Sequence, residues 1–372
     1  MIDTIVTGIA LVAVLIARVP AAEAAARSAV AARLRSLYTL TAILLALRLL
    51  TPVVAATPLV VALMIVAAWL PFAALRLVEE LCRRHARRVV KLLALGGGIA
   101  FSMLAVTLGV VWSEGALLAL AAWQAAMLAL MIVQMARARR DLRTAERRTL
   151  DSFLLALLLT IPLALSDFTA LLPDAPVRGG AIAVLVIVLG SSRLTDDRGT
   201  PLGLLADLAV ALSAGGMVAL IAQAMMPQAL QLAAAGWALA ALLLLVERTR
   251  GRAAAGSGLT AALARVPGDD LPAILSAHPL LEGAQLLDGD RLAAYPPASI
   301  ARLLDHRIVG ADLADAETRD AARELLAATQ ATHLIRVSRT PPRLLAVAAG
   351  GLAGRGLDDE LALAARLIEG AA

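Results

Sequence analysis

The 372-residue chain is expected to be a mostly α-helical polytopic membrane protein of about nine transmembrane helices, amino terminus outside and carboxyl terminus inside, followed by a small cytoplasmic α+β domain. Three observations predict this. Hydrophobic residues make up 60% of the chain, charged residues only 17%, and the mean hydropathy is +0.82, a composition foreign to soluble globular chains. Apolar stretches near the roughly 20 residues needed to cross hydrocarbon recur through residue 247. Cations, almost all of them arginine, collect in alternate connections between those stretches.

The candidate spans are residues 3–19, 37–54, 58–77, 92–112, 115–136, 150–170, 179–192, 202–225 and 229–247. Met1 is followed by Ile2 and Asp3 with no basic flank, which favours reading 3–19 as a retained helix over a cleaved signal. The seventh, around IAVLVIVLGSS, is short. Basic residues occupy the first connection (Arg18, Arg27, Arg33, Arg35), the third (VEELCRRHARRVVK, 78–91), the fifth (RARRDLRTAERR, 137–148), the seventh (Arg193, Arg198) and the segment after the ninth span (ERTRGR, 247–252). The alternate connections, TPVVAATP, SEG, LLPDAPVRGG and MMPQ, together hold one cation, Arg178. The positive-inside bias places the basic set in the cytoplasm and, with an odd number of spans, the two termini on opposite sides. The run at 78–91 then reads as cytoplasmic helix extensions held at anionic headgroups, with His85 a solvated loop residue. It lacks the interleaved aromatics of a base-stacking surface, so membrane lipids are the expected partner and nucleic acid is not.

The predicted external connections are all short, so a ligand would enter between helices, from the lipid or through a small cleft. Ionisable residues inside spans are costly in hydrocarbon and are the candidate ligand-binding groups: Arg48 in the second span, Asp167 near the end of the sixth, and Glu114 at the edge of the fourth and fifth. Arg48 and Asp167 lie within about two turns of the same membrane face and are expected at similar depth, so they can pair. The alternative is that Arg48 snorkels to the headgroups and Asp167 only marks a helix end. Pro162 is expected to kink the sixth span. The clusters Gly96, Gly97, Gly98 and Gly215, Gly216 suit close helix packing, and Asp207 suits a first turn facing headgroup water. Cys82, the single cysteine, excludes an intrachain disulfide and reads as a small helix-face residue.

After residue 252 the composition changes. AAAGSG at 253–258 reads as a linker, and residues 259–372 mix charged, proline and apolar residues as a small folded domain does. Helices are expected at 259–266, 269–278, 297–306, 317–330 and 357–370, a hairpin in AQLLDGDRLAAY (284–295), and paired strands at 332–338 and 343–351. The stretch LLAATQATHLIRVSRTPPRLLAVAAGG followed by LDDELALAARLIEG resembles the carboxyl-terminal half of a GAF domain. That resemblance implies an antiparallel sheet in a degenerate, structural module that binds a small molecule or dimerises. The whole layout resembles the amino-terminal portion of bacterial membrane sensory histidine kinases and diguanylate cyclases, with the output domain absent.

The expected function is therefore an inner-membrane sensor or signalling accessory, coupling a lipid-borne or small external ligand to the GAF-like tail. The tail's expected partners are a second copy of the chain or a cytoplasmic kinase or cyclase, engaged through residues 259–372. A secondary transporter with a regulatory tail is the alternative. No catalytic motif, cofactor or metal set stands out: GGLAGRG at 350–356 lacks the end of a phosphate loop, and His278, His306 and His333 fall on three separate elements.

Overall fold

Long runs of leucine, alanine and valine satisfy their backbone groups most readily as helix, which in hydrocarbon is one of only two ways to do so. The computed structural model describes residues 2–25, 28–54, 56–107, 113–140, 142, 144–167, 172, 177–192, 201–222, 229–254, 259–266, 270–310, 316–348 and 357–371. The MMPQ connection at 225–228, Arg193, Arg198 and the glycine-rich stretch at 350–356 lie outside the described residues. The chain divides into a helical unit within its first 250 residues and a second unit made mainly of Gly251–Ala372.

The first unit contains α1 (Ile2–Ala24), α2 (Ala29–Val54), α3 (Thr57–Cys82), α4 (Arg88–Val106), α5 (Glu114–Ala138), α6 (Thr144–Leu165), α7 (Gly180–Ser192), α8 (Pro201–Ile221) and α9 (Ala229–Ala254). Eight of these, all but α7, are long and apolar enough to cross a membrane. With 13 residues α7 measures only ~20 Å at 1.5 Å per residue, short of a ~30 Å hydrocarbon core. Helix α9 runs through Ala254 and so takes up the first part of the expected linker at 253–258. Successive helices α1 to α4 pack pairwise, α1 also packs on α7, and α3 on α5. Large apolar side chains such as Leu202, Leu212 and Leu220 project outward from α8, as lipid-facing residues do.

Glycines mark some of the close approaches. A methyl group at Gly215 would meet the Ala233 carbonyl oxygen at 2.7 Å and Trp237 Cβ at 3.2 Å, while Gly216 has nothing within 4 Å. Gly97 lies against the Trp123 ring and Gly98 against Trp69, whereas Gly96 faces open space. Only part of each glycine cluster therefore serves packing. Helix α7 is different in kind. Nine of its residues, from Ala181 to Ser192, are buried, and Gly180, Ile182, Val184 and Ile187 are half-buried, which makes it a largely internal helix of the unit.

In the second unit, short helices α10 (Leu259–Leu263), α11 (Leu271–Ser276) and α12 (Pro279–Glu282) precede β1 (Gln285–Leu287), α13 (Gly289–Leu292), α14 (Pro297–Asp305) and β2 (Ile308–Gly310). Then follow α15 (Ala316–Thr329), β3 (His333–Ser338), β4 (Arg343–Val347) and α16 (Leu357–Ala371). The four strands form one antiparallel sheet in the order β1-β4-β3-β2. Strand alternation sends Ile335, Val337, Leu345 and Val347 to one face, against Leu259, Ile274, Leu361 and Ile368. It sends Leu334, Leu344 and Ala346 to the other, against Leu292, Ile300, Leu303 and Leu325. Helices thus cover both faces.

The hairpin expected at 284–295 does not form. β1 is followed by one helical turn, α13, and pairs instead with β4, Leu286 opposite Leu345. Turning helical lets Leu292 enter the core beside Ile300, which a strand returning along the sheet edge would not. Strand β2, unanticipated, forms because Ile308 and Val309 find Ile335 and Leu334 across β3.

Candidate functional site

Helix α7 packs within the helical unit and its start is only partly open to water, so its first N–H groups call for acceptors close by. The segment that follows α6 supplies them. Gly180 N–H donates to Asp167 Oδ1 at 2.9 Å and Gly179 N–H to Ser166 Oγ at 2.8 Å. Asp167 and Ser166, just past the end of α6, thus cap the start of α7. A side chain at Gly180 would overlap the Asp167 carboxylate, so the approach requires glycine. At the far end, Ser191 and the buried Tyr38 hydroxyl of α2 lie 2.5 Å apart.

A carboxylate in this setting needs a counter-charge, and Arg48 of α2 provides it. Its Nη1 lies 2.5 Å from Asp167 Oδ2 and its Nη2 3.4 Å from Oδ1, a two-pronged contact. Arg48 Nη2 also reaches both oxygens of Asp3 on α1, at 3.3 and 3.4 Å. The side chains of Arg48 and Asp167 are 25% and 24% exposed and that of Asp3 is 49% exposed, so Asp3 is the looser and wetter partner. One cation between two carboxylates leaves a formal charge of −1. The cluster joins α1, α2, the end of α6 and the start of α7.

Of the three residues expected to bind ligand, the structure brings Arg48 and Asp167 together. Glu114, the first residue of α5, is exposed, and among the described residues it forms no ion pair with either. Sequence reasoning passed over Asp3 and Gly180. Asp3 left a usable signal, an acidic residue at the same predicted membrane face as Arg48. The role of Gly180 depends on a contact across 13 residues of chain and left none.

Two further carboxylates are engaged inside the helical unit. Asp207 on α8, expected to face headgroup water, pairs with Arg248 on α9 and is largely buried. The connection between α3 and α4 is organised around Glu79, whose side chain is only 5% exposed. Glu79 Oε1 accepts the Ala86 N–H at 2.7 Å and lies 2.8 Å from Lys91 Nζ, with Arg76 Nη1 3.7 Å from Oε2. His85 is exposed, with Nδ1 3.9 Å from Glu79 Oε1.

In the second unit, Arg336 on β3 is buried and fully engaged. Its Nε and Nη2 each lie 2.6 Å from Glu369 Oε1 of α16, and its Nη1 donates to the Leu304 carbonyl at 2.6 Å. It therefore caps the carboxyl end of α14 while holding α16, and Arg307 adds a second cation 3.2 Å from Glu369 Oε2. Among the described residues no group of three histidine, cysteine or acidic side chains is placed to hold a metal ion.

No family model, curated protein or solved structure is significantly similar to the chain.

Proposed function

We propose that the chain is a multi-pass sensor or signalling accessory of the bacterial inner membrane. In this reading its amino terminus is outside and its second unit is a cytoplasmic, GAF-like interaction module. The observation that carries the reading is the Asp3, Arg48 and Asp167 cluster, built onto an internal helix in a chain that also has a separately folded α+β unit. A lipid headgroup or small ionic ligand that competed for Arg48 would weaken the cap of α7 and disturb four segments at once. Helix α7, though too short to span a full hydrocarbon core, keeps the orientation that nine crossings require: its start meets Arg48's partner, its end meets Tyr38, and α2 runs between those same two residues in the opposite direction. The antiparallel sheet with helices on both faces suits the GAF-like reading. The expected partners of residues 259–372 are a second copy of the chain or a cytoplasmic kinase or cyclase.

One observation favours transport instead. A short helix whose amino end faces an ionic site is a feature of the discontinuous helices at transport sites. Amide exchange on the full-length protein in nanodiscs separates the readings. Under the signalling reading, Arg48→Gln alters protection within residues 259–371; identical exchange there in wild type and variant would refute coupling to the tail. A reporter fused after Ala372 that proved periplasmic would overturn the proposed topology.

A further inference from the structure

The basic stretch between α3 and α4 separates into two kinds of cation. Lys91 is engaged internally with Glu79, and Glu80 beside it meets Arg33 of α2 at 3.3 Å. Arg87 and Arg88 are exposed, and among the described residues neither guanidinium has a hydrogen bond or ion pair. Their backbone is nevertheless held in place, because Ala86 N–H binds the buried Glu79 carboxylate and Arg84 N–H the Glu79 carbonyl at 3.2 Å. Directly beyond them Val89 and Leu92 are each 66% exposed, and Leu93 is exposed as well. Water suits the guanidinium groups but not the three apolar side chains. A bilayer surface suits both, offering phosphate oxygens to arginine and acyl carbon to valine and leucine.

We infer that Arg87 and Arg88, with Val89 and Leu92, form a docking surface for anionic phospholipid headgroups, and that Glu79 and Lys91 hold that surface in shape without binding lipid. The inference rests on the chain crossing a bilayer and is independent of whether it signals or transports.

The test uses the full-length protein in neutral detergent micelles, titrated with phosphatidylglycerol or phosphatidylcholine, with bound lipid counted by native mass spectrometry. Each arginine near an anionic surface contributes about fivefold, so Arg87→Gln with Arg88→Gln lowers phosphatidylglycerol affinity by about 25-fold and leaves phosphatidylcholine within about twofold. Replacing both by lysine restores most of the binding. Lys91→Gln lowers thermal stability yet keeps the lipid preference. In wild type alone the preference for phosphatidylglycerol weakens as salt is raised. Equal binding of the two lipids by wild type, as expected if the surface serves an acidic protein, would overturn the inference. So would a preference that survives the double glutamine variant, resists salt, or disappears with Lys91.

Discussion

Replacing Asp167 by alanine removes two functions at once. The Gly180 N–H, 2.9 Å from Asp167 Oδ1, loses its acceptor, and Arg48 loses the partner that it holds at 2.5 Å. Loss of a helix cap costs about 1 kcal/mol and loss of a charged hydrogen bond about 1.5–3 kcal/mol. With side chains about one quarter exposed, the expected total is ~2.5–4 kcal/mol. Asp3→Ala removes a half-exposed carboxylate at 3.3 Å and is expected to cost ~0–1 kcal/mol. At about 2–4 °C per kcal/mol for a unit of this size, Tm falls by roughly 5–15 °C in the first variant and by less than about 4 °C in the second. Thermal unfolding in a fixed detergent, followed by tryptophan fluorescence, measures both. Double-mutant cycles with Arg48→Gln should give a coupling of about 2 kcal/mol to Asp167 and under about 1 kcal/mol to Asp3. Asp167→Asn, which keeps an acceptor for Gly180 but loses the charge, should fall between. Equal shifts for Asp3→Ala and Asp167→Ala, or no coupling between Arg48 and Asp167, would refute the reasoning.

Three other outcomes are expected. Gly215→Ala, whose added methyl meets the Ala233 backbone oxygen at 2.7 Å, should destabilise by about 1–3 kcal/mol. Gly216→Ala, with nothing within 4 Å, should be neutral or gain up to about 1 kcal/mol from helix propensity, so a Tm comparison of the two reports helix packing at that point. Arg336→Met leaves Glu369 with Arg307 alone and the Leu304 carbonyl without its donor and should cost about 2–4 kcal/mol, while Arg339→Met, at an exposed arginine 3.9 Å from Asp305, should cost ~0–1 kcal/mol. Amide exchange across residues 297–310 and 357–371 distinguishes them. Glu79→Ala releases the Ala86 N–H and Lys91 together and should expose residues 83–87 to limited proteolysis, whereas Glu79→Gln, which retains the acceptor, should do so much less.

Local chemistry accounts for what was readable in advance. The long helices follow from apolar length alone, and α14, α15 and α16 from amphipathic spacing that ends near where the structure ends it. β3 and β4 were legible because Leu334, Ile335, Val337, Leu344 and Leu345 are apolar on both strand faces, as a strand covered on both sides must be. The pairing of Arg48 with Asp167 was legible from their positions near the same end of two apolar helices, where charges have few other partners. The turn DGD misled because its residues suit a hairpin and a helix start equally well, and the choice fell to the burial of Leu292.

Sequence by itself determined that this chain is helical and apolar over its first two thirds and carries a small mixed domain at its end, because burial of apolar surface and backbone hydrogen bonding act within short windows. Tertiary structure alone decided that α7 is internal, that Asp167 caps it, that Glu79 organises the turn after α3, and that Arg336 joins α14 to α16. The last three each satisfy a polar group that burial has wholly or partly cut off from water. Which partner does so depends on which segments the fold has brought alongside, and no local window of sequence contains that information.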